Sequence, residues 1–211
     1  MHISEGVLSA PVLLAGAVLT VGGLALGLKN LRSEDIPKAS ILSAVFFVAS
    51  LIHVNIGPGS THLVLNGLIG VIMGVSAFPI IFLGLLLQGL LFNFGGLTTL
   101  GVNTFNMAFP AFLFGALLRP AINSPNAAVS SAASCFGGSL PVLASALLVA
   151  ASLYLTGRQF FLVAAEVILG NLPVVVIEGF VALFCVRFLK KVRPEVLRAP
   201  PVGAAAAAAS A

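Results

Sequence analysis

The sequence predicts an all-α, polytopic integral membrane protein, and the first observation behind this prediction is its composition. Charged residues make up 8% of the 211-residue chain and hydrophobic residues 59%, and the mean hydropathy is +1.16. Soluble domains carry about 25% charged residues, so this chain lacks the polar surface that water requires. Intrinsic disorder is excluded as well, because disordered segments combine low hydrophobicity with high charge.

The second observation is a series of apolar segments, since a helix that spans a bilayer needs about 20 apolar residues. The second and third segments are short for this purpose, and the third and fourth are separated only by Ser76–Pro79. Their combined length favours two helices joined by a tight turn over one long span. We therefore expect about seven transmembrane helices, over Leu8–Leu28, Ala39–Val54, Leu63–Ala77, Pro79–Phe94, Thr104–Leu118, Ala128–Leu155 and Phe160–Leu189.

The basic residues predict the orientation of these segments. With seven spans, only Arg158 of the ten Lys and Arg residues falls on the side of the N-terminus. Cytoplasmic loops are enriched in Lys and Arg, so we expect the N-terminus outside and the C-terminus in the cytoplasm. The nine residues on the expected cytoplasmic side are Lys29, Arg32, Lys38, Arg119, Arg187, Lys190, Lys191, Arg193 and Arg198.

The chain is expected to form a single transmembrane domain over residues 1–198, followed by a low-complexity Pro/Ala tail over 199–211. Ten basic residues spread over apolar helices leave no basic face for nucleic acid, so the lipid bilayer is the expected surrounding. The first basic residue is Lys29, whereas a signal peptide opens with a basic region. We therefore expect Met1 to remain at the N-terminus of the mature protein.

The three histidines carry most of the functional information. His2, His53 and His62 lie in or beside the N-terminal segment and the loop 55–61, which the orientation places on the outer side. A free Met1-His2 terminus offers three nearly coplanar nitrogen donors, namely the amine, the His2 amide and the His2 ring. Square-planar nitrogen coordination is preferred by Ni(II) and Cu(II), and either His53 or His62 can supply a fourth donor.

Three acidic residues are further candidates for a role. Glu5 can accept a hydrogen bond from the His2 ring, or it can place a negative charge at the start of the first helix. Glu166 and Glu178 lie within the last span. An ionisable residue in a span suggests a functional role, but Glu178 can equally bond to a polar group on a neighbouring helix.

Three separate motifs resemble one known family. They are Met-His-Ile-Ser-Glu-Gly at residues 1–6, Ser-Thr-His-Leu-Val-Leu-Asn-Gly at 60–67 and Phe-Gly-Gly-Leu-Thr-Thr-Leu-Gly-Val-Asn-Thr at 94–104. Over about residues 1–190 the chain resembles the CbiM/NikM family, the substrate-binding membrane (S) components of cobalt and nickel energy-coupling-factor (ECF) transporters. The resemblance implies that Met1, His2 and His62 hold the ion. His53 and Glu5 remain additional candidates, as ligands or as residues that support the ligands.

The resemblance also implies the partners and the location. A transmembrane coupling (T) subunit, two ATP-binding subunits and a small accessory membrane subunit would complete an importer in the cytoplasmic membrane of a prokaryote. The chain has no P-loop, His-Glu-x-x-His or nucleophile-elbow motif, so ATP hydrolysis is expected on the partner subunits rather than here. Co(II) or Ni(II) is then the transported substrate, and no organic cofactor is expected.

Two other classes of function are consistent with the residues. One is a membrane metalloenzyme or redox protein that uses the histidines to bind copper. The other is a structural membrane subunit in which the histidines have no role in metal binding.

Overall fold

The computed structural model describes residues 2–56 and 59–197, except for the side chains of residues 53–56 and 59–61. The described part contains seven α-helices and one antiparallel pair of strands, joined by short turns and 3-10 helices. The helices are α1 (Ala10–Asn30), α2 (Ile36–Ala49), α3 (Asn66–Met73), α4 (Ala77–Phe92), α5 (Leu100–Ile122), α6 (Ala127–Thr156) and α7 (Phe161–Val192). The strands are β1 (His53–Ile56) and β2 (Gly59–His62).

The helical membrane-protein class is confirmed. Five helical stretches in the described part are long and apolar enough to cross a membrane, namely Ala10–Asn30, Asn66–Phe92, Leu100–Ile122, Ala127–Thr156 and Arg158–Val192. Large apolar side chains such as Leu14, Leu155 and Phe184 are 64–73% exposed, as lipid-facing residues would be. The count of seven spans stays a prediction. So does the domain boundary at residue 198, because the tail 199–211 lies outside the described residues.

One end of the helix bundle, which we call the histidine end, holds the residues before α1. The backbone N–H of Ile3 donates to Asn103 Oδ1 at 3.0 Å, near the start of α5. The N–H of Ser9 donates to Thr156 Oγ1 at 3.3 Å, at the end of α6. The starts of α1 and α5 and the end of α6 therefore lie at this end.

The opposite end, which we call the basic end, holds the other helix termini. The Ser76 hydroxyl donates to the carbonyl of Gly27, near the end of α1, at 3.0 Å. Lys190, near the end of α7, donates to Ser130 Oγ, in the first turn of α6, at 2.5 Å. Successive helices thus run in alternating directions, and Arg158, in the turn before α7, lies towards the histidine end.

The boundary between the third and fourth apolar segments differs from the one predicted. The chain reverses direction at Gly74–Ser76, so the turn predicted at Ser76–Pro79 was placed too late. Gly74 has φ +58, a left-handed conformation that glycine adopts without a Cβ penalty. Pro79 instead lies in the first turn of α4, where a backbone N–H has no partner within the helix.

The segment between α2 and α3 contains the two strands. Strands β1 and β2 pair antiparallel, with His53 opposite His62 and Ile56 opposite Gly59. Pairing satisfies the backbone N–H and C=O groups that face the partner strand, and so reduces the number of unpaired groups in this non-helical segment. The fold is therefore all-α apart from this short hairpin.

Small residues bring α3 into backbone contact with its neighbours. A Cβ on Gly70 would collide with the carbonyl oxygen of Ala111 in α5, and a Cβ on Gly67 would collide with the carbonyl oxygen of Gly137 in α6. Without the hydrophobic effect between helices in lipid, close packing of this kind is a main source of their association. It fixes α3 in the interior, directly after His62.

We expect Gly70→Ala to reduce the free energy of unfolding by about 1–3 kcal/mol, because overpacking forces backbone shifts of this cost. The matched control is Gly22→Ala in α1, where an added Cβ would have no atom within 4 Å. Thermal melting of both variants in detergent measures the difference. Equal melting temperatures for Gly70→Ala and the unchanged protein would contradict the packing described for α3.

Candidate metal centre

Two of the three histidines meet at the histidine end of the bundle. The rings of His2 and His62 are stacked, with 4.9 Å between their centroids and 17° between their planes. His2 precedes α1, and His62 is the last residue of β2. The fold thus brings together the two histidines that the sequence selected as metal ligands.

The His2 ring has the chemical state that a metal ligand needs. Both of its ring nitrogens are buried, and neither has a hydrogen-bond partner among the described residues. Burial lowers the pKa of His2 well below its ordinary value, and the neighbouring His62 contributes to the same shift. The ring is therefore neutral near pH 7 and keeps a nitrogen lone pair for a metal ion.

The His62 ring is oriented by its own backbone. Its Nδ1 lies 2.8 Å from the carbonyl oxygen of Leu63. A carbonyl oxygen only accepts hydrogen bonds, so Nδ1 carries the proton and the lone pair of the neutral ring is on Nε2. A backbone carbonyl commonly fixes a metal-binding histidine in this way.

Phenylalanine rings line the same region. The Phe94 ring stacks on His2 at a centroid distance of 6.0 Å. The Phe92 ring lies next to those of Phe94 and Phe47, at centroid distances of 5.7 Å and 5.3 Å. This aromatic cluster lowers the local polarity around the His2 ring, which strengthens any charge interaction made there.

The chain just after His2 is held by α5 through its backbone. Asn103 Oδ1 accepts the N–H of Ile3 at 3.0 Å, and Asn103 Nδ2 donates to the Ile3 carbonyl at 3.1 Å. The Thr99 hydroxyl donates to the same carbonyl at 2.8 Å. Asn103 is 2% exposed and Thr99 is fully buried, and Ile3 itself is 4% exposed, so the backbone of Ile3 is fixed as part of the core.

Glycine at position 95 allows this close approach. Gly95 has φ +85, and a Cβ there would meet the Asn103 amide at 3.0 Å and the His2 Cβ at 3.6 Å. A side chain would therefore be strained by the backbone conformation and crowded against the N-terminal segment. The motif Phe94-Gly95-Gly96 thus shapes the wall against which His2 packs.

Glu5 interacts with this loop rather than with a histidine. Its carboxylate accepts hydrogen bonds from the backbone N–H and the hydroxyl of Thr98. These bonds lower the pKa of Glu5, whose side chain is exposed. Neither of the expected interactions of Glu5, with the His2 ring or with the first turn of α1, is present in the described residues.

Several predicted site residues lie wholly or partly outside the described residues. Met1, which carries the terminal amine, is one of them. The backbone of His53 pairs with His62 across the hairpin, but its side chain is outside the description. The described His, Cys, Asp and Glu side chains form no cluster of three that could hold a metal ion, so among them His2 and His62 are the pair that the fold brings together.

The two glutamates of α7 differ in their surroundings. Glu166 is exposed, whereas Glu178 is 1% exposed. The Glu178 carboxylate accepts the backbone N–H groups of Val64 and Leu65, immediately after His62. One interpretation of the sequence gave Glu178 a polar partner on a neighbouring helix. Its partners are backbone N–H groups between β2 and α3, which residue types do not reveal.

Asn103 and Thr99 bind the N-terminal segment, a role that their residue types alone do not indicate. The available signal was their place in the motif at residues 94–104, one of the three that carry the family resemblance.

The family match decides the class of protein. A family model described as the cobalt uptake substrate-specific transmembrane region matches residues 2–196. The chain belongs to the CbiM family. The resemblance drawn from the three motifs is therefore confirmed, and the protein is a membrane component of cobalt and nickel transport.

Relatives of this CbiM-family protein are similar to it in sequence along nearly its whole length. A Haemophilus influenzae protein assigned to metal transport is 39% identical over 203 residues, covering 93% of this chain and 97% of the relative. The cobalt transport protein CbiM of Kyrpidia tusciae is 30% identical, covering 93% and 86%. A fused Archaeoglobus fulgidus protein assigned to nickel transport, NikMN, is 26% identical, covering 93% and 68%.

The fold has a solved counterpart. A crystal structure of a transition metal transporter matches this CbiM-family chain with a TM-score of 0.77 and 27% identity, covering 91% of this chain and 93% of the other. These relatives are described as transport proteins, so the similarities do not support the copper metalloenzyme hypothesis.

We expect Asn103→Ala to weaken metal binding by about 10–100-fold, the usual cost of removing a residue that supports metal ligands. The change removes both hydrogen bonds to the Ile3 backbone and so loosens the segment that carries His2. Isothermal titration of the purified protein with Ni(II) or Co(II) measures the effect. Asn123→Ala is the control, because Asn123 is exposed at the other end of the same helix, and an equal loss there would contradict a specific role for Asn103.

Proposed function

We propose that this CbiM-family protein binds Co(II) or Ni(II) through four nitrogen donors. The donors are the Met1 amine, the His2 amide, the His2 ring and Nε2 of His62. The stacking of the His2 and His62 rings at 4.9 Å carries this proposal. The buried His2 nitrogens, which have no partner among the described residues, support it further.

The proposed chelate follows from the chemistry of a Met1-His2 terminus. The amine and the amide close a five-membered ring on the ion, and the amide and Nδ1 of the imidazole close a six-membered ring. The amide must lose its proton, and the three donors then lie nearly in one plane. A nitrogen donor from His62 completes a set of the kind that Ni(II) prefers.

Both cobalt and nickel are proposed as substrates. The donor types accept either ion, and the relatives include proteins described for cobalt transport and for nickel transport. In the usual order of affinities Ni(II) binds more tightly than Co(II), but selectivity in cells follows geometry and availability. His53 and Glu5 are not needed as ligands in this proposal.

We further propose that the metal site opens towards the outside of the cell. Alternating helix directions support seven membrane crossings, with the short α3 preceded by the β-hairpin. Basic residues such as Lys29, Arg119 and Lys190 lie towards the end opposite the histidines, and this asymmetry is typical of cytoplasmic loops. The histidine end would then face outward, in the cytoplasmic membrane of a prokaryote.

Delivery across the membrane is proposed to require partner subunits. In this proposal the protein is the substrate-specific component of an ATP-driven ECF-type importer, with no enzymatic activity of its own. A T subunit, two ATP-binding subunits and a small accessory membrane subunit would complete the importer. The fused NikMN relative, of which this chain spans 68%, supports association with a further segment.

One extra residue ahead of Met1 should abolish metal uptake, because it moves the terminal amine away from the chelate. The control carries the same residue after Ala211, at the other end of the chain. Uptake of radioactive cobalt or nickel is measured in cells that also express the partner subunits, and mass spectrometry verifies that the extension stays on the chain. Full uptake by the extended and uncleaved variant would contradict the proposed ligand set.

Labelling of single cysteines tests the orientation. In a background that carries Cys135→Ala and Cys185→Ala, we expect a membrane-impermeant maleimide to label Gln159→Cys in whole cells. Ser33→Cys should be labelled only after the cells are opened, because Ser33 lies in the turn between α1 and α2 at the basic end. The reverse pattern would show that the metal site faces the cytoplasm.

A further inference from the structure

A buried carboxylate on α7 contacts the segment that carries His62. Glu178 Oε1 accepts the N–H of Val64 at 2.5 Å and the N–H of Leu65 at 2.8 Å. Glu178 is 1% exposed, and Val174 and Ala182, one turn before and after it on the same face of α7, are 0% and 2% exposed. A carboxylate at such a position is costly unless it is well paired, and here two backbone donors pair with it.

The residues that Glu178 holds form the short link between β2 and α3. Leu65 has φ +56 and ψ 12, a left-handed conformation that is uncommon for a residue with a branched side chain. Such a conformation persists where the surrounding contacts over-determine it. Here those contacts include the hydrogen bond from Leu65 to Glu178 and the start of α3, where the N–H of Ile69 donates to the Leu65 carbonyl at 3.2 Å.

The same link orients the ring of His62. The N–H of Leu63 donates to the Ile52 carbonyl at 3.2 Å, which fixes one side of the link. The Leu63 carbonyl accepts the Nδ1 proton of His62 at 2.8 Å. The Leu63 carbonyl and the Val64 N–H belong to one planar peptide group. Because Glu178 accepts that N–H, it sets the direction of the Leu63 carbonyl and so the direction of the His62 ring.

We propose that Glu178 is a positioning residue for the metal ligand His62. It acts through the Val64 and Leu65 amides and the Leu63 carbonyl, and it does not touch the ion. This inference rests on the proposed function, because it assumes that His62 is a ligand. The two ligand segments would then have separate supports, Asn103 of α5 for His2 and Glu178 of α7 for His62.

Two substitutions of Glu178 test the proposal. Glu178→Leu replaces the acceptor with an apolar side chain of similar size and leaves the N–H groups of Val64 and Leu65 without it. Glu178→Asp keeps the charge but draws the carboxylate back by about 1.5 Å, one C–C bond. Glu166→Leu and Glu166→Asp are the matched controls, because Glu166 is an exposed carboxylate on the same helix.

The measurements are the dissociation constant for Ni(II) and the d–d absorption band of the bound ion, with the full chain purified in detergent. We expect Glu178→Leu to bind Ni(II) about 10–100-fold more weakly and to show the band of His62→Ala. Glu178→Asp should also weaken Ni(II) binding, but by a smaller factor than Glu178→Leu. The double variant His62→Ala/Glu178→Leu should bind no more weakly than His62→Ala alone, because both changes remove the same ligand.

Gel filtration and thermal melting decide which variants are folded. The wild-type affinity and spectrum in any folded Glu178 variant would overturn the proposal. Additive losses in the double variant would also overturn it, because they indicate a general structural role. A failure of the proposed function gives a different result from a failure of this inference. In that case the unchanged protein does not bind Ni(II), or His62→Ala binds Ni(II) as tightly as the unchanged protein does.

Discussion

The arrangement of the metal centre depends on the two hydrogen bonds between the Ile3 backbone and the Asn103 side chain. These bonds, of 3.0 and 3.1 Å, attach Ile3 to α5. They hold the neighbouring His2 where its ring stacks on the His62 ring, at a centroid distance of 4.9 Å. A chain terminus is ordinarily among the least ordered parts of a protein. Here Ile3, close to the start of the chain, is 4% exposed, and both its N–H and its carbonyl are hydrogen-bonded to Asn103.

Polar side chains are scarce in this bundle, and several of them bind the backbone of segments outside the helices. Asn103 binds the segment of His2, Glu178 binds the segment of His62, and Ser76 ties the α3–α4 turn to α1. In an apolar medium a buried polar group must be satisfied, so each side chain fixes one non-helical stretch of chain. The two buried nitrogens of the His2 ring have no hydrogen-bond partner among the described residues, and such a ring is suited to bind a metal ion.

Residue types predicted the helical membrane class and placed the three histidines on one side of the membrane. The choice of His62 over His53 as the partner of His2 came from the family resemblance, and the structure brings the rings of His2 and His62 together. Sequence reasoning misplaced the turn between α3 and α4, because the apolar run is continuous there and the reversal depends on the φ of Gly74. It also missed the contact of Glu178 with Val64 and Leu65, which are more than 110 residues away. The donors to this carboxylate are backbone N–H groups, which every residue except proline has, so the sequence does not reveal them.

Anomalous scattering from metal-soaked crystals tests the central claim most directly. Data collected at the cobalt and nickel absorption edges locate each ion without assumptions about its ligands. The account predicts one peak within coordination distance of the His2 ring, the Nε2 atom of His62 and the Met1 amine. A peak elsewhere in the bundle, or a peak at the histidine end that lacks the Met1 amine as a ligand, would contradict it.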